Sequence, residues 1–444
     1  MVFLNILKHI NNITSLQVFQ LIRFGTLLLI SIMFAKSGLS VAEIGSYETF
    51  MLIAGSVSFF WTTGIIQSFL SLFRNNRTFS GKKNDSKSPE IFNLFITISF
   101  FSIASCAVII IFRNFFSDHL NNGDAIPYFN LLILYVFLSN PAVLTEYIYL
   151  ALGRYTEIVI YGVITYLLQL ILVCLPVFSG FNIEYSIYGL LFITFIRICW
   201  LVPLVLKNSV ARISVIYLKE HMKFGLPLIM TALLSSSQQY IAGFIVTAKY
   251  DAATLAVFRY GARELPLVML ISNAFSNSLL PDFGKSKVRE IMKLIKEKSL
   301  KMIYLLFPLA IISLLISKIA FPVIFNPNFS ASADIFNIFI LLVICRLVFP
   351  QTITMGLKKT KIIFWASLAE LIICTSLSLL LVDTMGLSGI GLAFVIAFFS
   401  EKIILIMYLR FQQKIKMSEY IPLKQLIIGS LLILISYTLT VIWS

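Results

Sequence analysis

Residues 12–36, NITSLQVFQLIRFGTLLLISIMFAK, decide the fold class. A helix of that length reaches about 37 Å, enough to cross a hydrocarbon core of about 30 Å. One charge, Arg23, interrupts it near the midpoint. The run is longer than the apolar core of a secretory leader and lacks a small-x-small cleavage site, so it is expected to stay as a first membrane span.

Working outward, the same pattern recurs at residues 44–72, 91–112, 127–152, 158–178, 186–206, 224–247, 253–280, 302–325, 334–356, 362–383, 387–409 and 422–443. Thirteen apolar segments in 444 residues explain why 59% of the chain is apolar and only 12% charged, with a mean hydropathy of +0.93. A soluble enzyme of two or three domains is excluded by these values. A membrane β-barrel is excluded as well, because its strands alternate in polarity rather than running apolar throughout.

The net charge of +15 has its meaning in placement. With the N-terminus in the cytoplasm, loops on that side carry 25 Lys and Arg, whereas the opposite loops hold only Lys36, Arg113, Lys249 and Lys318. That asymmetry predicts a cytoplasmic N-terminus and removes any need for a nucleic-acid partner. No loop exceeds about 20 residues, a length too short for the common soluble domains, and no Gly-rich phosphate loop is present. The basic stretch at residues 285–301, KSKVREIMKLIKEKSLK, sets Val288, Ile291, Leu294 and Ile295 at helical spacing, so it is expected to lie on the cytoplasmic leaflet against anionic membrane lipids. Residues 74–90, RNNRTFSGKKNDSKSPE, lack such periodicity and are expected to be mobile.

Cys106, Cys174, Cys199, Cys345 and Cys374 lie inside apolar runs with no CxxC pair, and read as packing residues. His9, His119 and His221 fall in terminal or loop positions, away from intramembrane carboxylates. Neither a metal site, a cofactor site nor a catalytic constellation emerges, so the chain is not expected to be an enzyme.

A weak repeat divides the chain. IGSY at 44–47 matches LAVF at 255–258, SFLSLF at 68–73 matches SLLPDF at 278–283, RYTEIVIY at 154–161 matches KKTKIIFW at 358–365, and GLLFI at 189–193 matches GLAFV at 391–395. The offsets drift only from 211 to 202. Six spans per copy make a parallel repeat. The expected architecture is an all-α polytopic membrane protein with an N-terminal six-helix bundle (1–212), a C-terminal six-helix bundle (213–409) and a linker with a thirteenth helix (410–444).

Eleven ionisable residues sit within the spans: Arg23, Glu48, Glu146, Arg197, Arg259, Arg263, Glu264, Arg346, Glu370, Glu401 and Lys402. Facing lipid, they would cost on the order of 30 kcal/mol, more than the ~5–15 kcal/mol net stability of a fold. They must pair or face water. Arg259 and Arg263, four apart, are expected on one helical face. Glu48 is related to Arg259 by the 211-residue offset, and Gln238 and Gln239 close a polar run in the middle of span 7. Arg23, Glu48, Gln238, Gln239, Arg259 and Arg263 are therefore the candidate substrate-binding residues. Arg197, Glu401 and Lys402 read as structural, Glu264 as the local counter-charge of Arg263, and Glu146, Arg346 and Glu370 as inter-helix braces. Pro203, Pro227, Pro266, Pro308 and Pro350 are expected to bend spans.

The stretches FAKSGLSVAEIGSYETF (34–50), KFGLPLIM (223–230), AVFRYGARELP (256–266), SLLPDF (278–283) and MGLKKTK (355–361) resemble the Wzx-type polysaccharide flippases of the multidrug/oligosaccharidyl-lipid/polysaccharide (MOP) exporter superfamily. The resemblance implies a bacterial cytoplasmic-membrane flippase with twelve core helices. It would move undecaprenyl-pyrophosphate-linked glycan outward for surface polysaccharide such as O-antigen, alongside a polysaccharide polymerase and a chain-length regulator. It also implies that Arg23, Arg259 and Arg263 meet the pyrophosphate. The thirteenth segment departs from the family pattern. Two other readings compete: a multidrug or cation exporter of the same superfamily, disfavoured by six basic against five acidic intramembrane residues, and a membrane-embedded polymerase, disfavoured by the lack of a large external loop.

Overall fold

The computed structural model of the protein describes residues 12–79, 89–120, 125–279, 283 and 287–442. Among these, every regular element is a helix. Nine helices are long and apolar enough to cross a membrane, and two bent pairs, Val41–Ser56 with Phe59–Phe73 and Ala331–Arg346 with Pro350–Gly356, raise the number to eleven.

The remaining two expected segments account for the difference from thirteen. The first is hidden in the helix Thr360–Phe411, whose 52 residues would reach about 78 Å if straight. Gly386, with φ 60° and ψ −139°, is non-helical inside it. A Cβ on Gly389 would strike the carbonyl oxygen of Leu381, a contact impossible eight residues apart along one straight helix. The chain therefore folds back as a tight hairpin, and residues 362–383 and 387–409 are separate spans. The second is divided between Ala252–Gly261 and Pro266–Leu279, separated by a non-helical break.

The chain forms two compact units. The first takes in residues 1–240 and 247–255. It contains α1 (Asn12–Lys36), α2 (Val41–Ser56), α3 (Phe59–Phe79), α4 (Pro89–Ile111), α5 (Arg113–Leu120), α6 (Phe129–Ala142), α7 (Leu144–Ala151), α8 (Tyr155–Phe178), α9 (Ile183–Asn208) and most of α10 (Val215–Lys249). Here α1 lies along α8, α8 pairs with α9, and α6 packs between α4 and α9. Phe19, Trp61, Phe69, Ile91, Ile148, Ile158 and Tyr161 form its core. The polar face of α2 starts with a capping box: Glu43 N–H donates to the Ser40 hydroxyl, and Ser40 N–H donates to the Glu43 carboxylate at 2.9 Å.

The second unit takes in residues 241–246 and 256–444. It contains most of α11 (Ala252–Gly261), then α12 (Pro266–Leu279), α13 (Val288–Ile324), α14 (Ala331–Ile340), α15 (Leu342–Arg346), α16 (Pro350–Gly356), α17 (Thr360–Phe411), α18 (Met417–Tyr420) and α19 (Leu423–Ile442). The thirteenth apolar segment is thus a full helix, α19. It packs along α13, where Gly429 meets the Phe307 ring so closely that any Cβ would overlap it. Tyr420 and Ile421, both at 0% exposure, anchor its start.

Several local expectations change. Residues 285–301 do not form a separate surface helix: from Val288 onward they are the first turns of α13, 37 residues long. Ile291 and Ile295 are buried within the protein rather than laid on lipid, while Lys293, Lys296 and Lys298 remain exposed. Residues 74–79 continue α3 as helix, and the rest of that basic loop up to residue 88 lies outside the described residues. Pro266 and Pro350 start helices after breaks instead of bending them from inside, because proline fits the first helical turn, where no N–H donor is needed.

Candidate functional site

Most of the buried charges fall into one network within each unit. In the first, Phe19 of α1 stacks on Tyr161 of α8 with ring centroids 6.2 Å apart and meets the edge of Tyr166 at 5.5 Å. That packing fixes the rotation of α1. Arg23, one turn further along the same face, then lies within electrostatic reach of Tyr166, Glu146, Tyr147 and Tyr135, drawn from α6, α7 and α8. Arg23 is exposed on α1, with these four polar groups as its electrostatic neighbours.

Arg197 on α9 belongs to the same network. It donates to the Gln169 amide oxygen at 2.8 Å and lies 4.7 Å from the Tyr166 ring centre. It also interacts electrostatically with Glu146. Glu146 is 5% exposed and sits just after the break between α6 and α7. Two guanidiniums around one carboxyl, with tyrosine hydroxyls at the margin, form a net-cationic aromatic lining. Such a lining offers bidentate donors to phosphate and flat apolar faces to sugar rings.

Sequence spacing reads Arg197 as structural and Glu146 as an inter-helix brace. What they lacked was a visible partner: Gln169, Tyr166 and Arg23 come from helices distant in sequence. His221 is likewise not a loop residue. It is buried at 1% exposure within α10, with Nδ1 2.6 Å from the Ser68 hydroxyl and its ring stacked 5.5 Å from Tyr217.

In the second unit, Arg346 forms a side-on pair with Glu264, with Nε and Nη2 donating to the two carboxylate oxygens at 2.8 and 2.6 Å. Arg346 also lies 4.5 Å from the Phe398 ring centre and interacts with Glu370 and Glu401. Lys402 donates to Glu401 at 2.6 Å and to the Gln351 amide oxygen at 3.3 Å. Glu264 is therefore the counter-charge of Arg346, not a merely local one for Arg263.

Arg259 and Arg263 do not share a helical face. The α11 helix ends at Gly261, and residues 262–265 form a break in which Arg263 N–H bonds to the Gly261 carbonyl at 2.7 Å. Pro266 enforces this, since the residue before proline avoids the helical region. Arg263 instead lies 5.1 Å from the Tyr260 ring centre. Both arginines are half-buried.

Glu48 on α2 is buried at 7% exposure. Gln238 on α10 is buried at 3%, and neither atom of its amide group finds a hydrogen-bond partner among the described residues. Gln239 is exposed.

The fold is that of an all-helical polytopic membrane protein with charge networks inside its spans. The lipid II flippase MurJ, in an inward closed conformation, superposes with a TM-score of 0.71 over 95% of this chain and 91% of that one, at 15% identity. An inward-facing multidrug resistance MATE family transporter of the MOP superfamily gives 0.64 over 91% and 98%, at 14% identity. A MOP superfamily transporter from Pyrococcus furiosus, described by a reverse polarity of its binding pocket, gives 0.58 over 92% and 97%, at 14% identity. No curated protein matches in sequence. The chain matches the polysaccharide biosynthesis protein family over residues 39–334 and belongs to it.

Proposed function

We propose that this protein is a flippase that carries an undecaprenyl-pyrophosphate-linked oligosaccharide outward across a bacterial cytoplasmic membrane. The observation that supports this reading is Arg23, exposed in the middle of a membrane-spanning helix and within electrostatic reach of Glu146, Tyr135, Tyr147 and Tyr166. A permanently charged, planar donor among polar groups suits a diphosphate, and the tyrosines suit its sugar. Membership of the polysaccharide biosynthesis family supports a glycan-bearing substrate, and MurJ, whose fold it shares, is itself a lipid II flippase.

In this reading Arg23, Arg259 and Arg263 are the diphosphate-binding residues. Glu48 acts as a counter-charge, and Gln238 and Gln239 offer amides to sugar hydroxyls. The N-terminus is cytoplasmic, and a polymerase and chain-length regulator act on the delivered glycan. With the cell interior negative, moving each anionic charge outward gains about 2.3 kcal/mol per 100 mV. A diphosphate headgroup is thus driven outward by the potential alone.

The test is export of surface polysaccharide in cells whose only copy carries R23Q, R259Q and R263Q. The triple variant should reach normal membrane abundance, accumulate lipid-linked repeat units and display little polysaccharide. Normal display would overturn the assignment.

A further inference from the structure

We infer that the seam between α13 and α19 is a seat for a resident anionic glycerophospholipid, distinct from any transported cargo. Two adjoining concavities form the seam. One, of about 940 Å³, is lined on its basic side by Lys287, Arg289, Lys293, Lys296 and Lys424. The acidic residues Glu290, Glu297 and Glu419 leave it a net positive charge. The other, of about 400 Å³, is an apolar furrow between Ile303, Phe307 and Ile311 on α13 and Ile428 and Leu432 on α19. Lys424 and Gln425 line both, so the cationic basin adjoins the furrow.

The chemistry of the occupant follows from this juxtaposition. An anionic headgroup pairs with exposed lysines at a membrane surface, and an apolar tail leaves water when it enters the furrow. Neither a soluble phosphate nor an uncharged lipid uses both halves. Lys296 already donates to the Ser418 carbonyl at 2.8 Å, which stiffens the floor of the basin and leaves Lys293 and Lys424 to meet the ligand.

The furrow's length selects a leaflet lipid. From Ile303 to Ile311 it rises about 12 Å along the helix axis, close to half a hydrocarbon core of about 30 Å. That suits one acyl chain of a single leaflet, whereas an extended polyprenyl tail runs well past it. The seam is built as well as open: Gly429 brings α19 into direct contact with Phe307 at the furrow's base. A lipid held there would hold α19 against α13, as glue that needs no turnover.

The full-length protein in nanodiscs of equal parts phosphatidylglycerol and phosphatidylcholine, each supplied with an acyl-diazirine tail, provides the test. Phosphatidylglycerol should label residues 303–311 and 428–432 in preference to phosphatidylcholine. K293Q and K424Q should each lower that labelling about fivefold, K424R should retain it, and R410Q, a charge removed elsewhere, should leave it unchanged. Filling the furrow with I428W should abolish labelling even where the lysines remain. Equal labelling by the two lipids, labelling centred elsewhere, or one-for-one displacement by polyprenyl phosphate would overturn the assignment.

Discussion

The guanidinium of Arg346 and the carboxylate of Glu264 meet side on across 82 residues of sequence, and each lies at a place where a helix stops. Arg346 is the last residue of α15, before the break that precedes Pro350; Glu264 sits in the break that precedes Pro266. Irregular backbone at membrane depth survives only where protein covers it. This ion pair ties two such breaks together.

Cutting that tie should cost stability, because one charge is left behind without its partner. E264Q and R346Q are each expected to destabilise by about 1–3 kcal/mol, the cost of leaving a part-buried partner unsatisfied, with R346K intermediate because lysine lacks the two-pronged geometry. Thermal unfolding in detergent of the two single variants and the double variant checks this. Strictly additive losses would show that the two residues act independently.

The α17 hairpin depends on Gly386, whose φ of 60° and ψ of −139° suit no side chain. G386A should cost about 1–3 kcal/mol through backbone strain. G38A, at a glycine with an ordinary φ and open space around it, should be close to neutral. The difference in melting temperature between the two variants is the measurement.

Gly429 and Phe307 make a second close contact. G429A should push α19 off α13, at a cost of about 1–3 kcal/mol for overpacking, and expose residues after 423 to protease. F307A removes the obstructing ring, so the F307A/G429A protein should regain protection of α19. A double variant no better protected than G429A would rule out the contact as the cause.

In the first unit, Arg197 both donates to Gln169 and covers the Tyr166 ring. R197K should keep partial polysaccharide export and R197Q little, at equal membrane abundance, because lysine retains the charge but not the planar stacking. Full export by R197Q would make Arg197 a brace only.

Topology has its own check. In a cysteine-free background, S86C should resist an impermeant maleimide in intact cells and react after lysis, whereas N182C should react in intact cells. The reverse pattern would invert the orientation inferred from the basic loops.

The span pattern was legible because twenty or so consecutive apolar residues have one physical solution in lipid: a helix that satisfies its own backbone. The Gly386 turn also left a trace, since the expected boundary between residues 383 and 387 brackets it. The charge networks were less legible. Eleven intramembrane charges announced that pairing must occur, and burial supplied the cost, but pairing depends on helix rotation and on neighbours far away in sequence. Spacing alone therefore makes Glu264 the companion of Arg263, whereas it is the partner of Arg346, and it reads Arg197 as structural and Glu146 as a brace without naming Arg23 as their neighbour.

By itself the sequence determined that this is a many-spanning helical protein and that positive charge must be sheltered within it. Those conclusions follow from length, hydropathy and the cost of charge in lipid, which are local and additive. Which charge meets which, where α11 stops, and how α19 closes on α13 were decided only by tertiary structure. Those outcomes rest on side chains from separate helices meeting at distances of a few ångströms, and sequence spacing does not encode that.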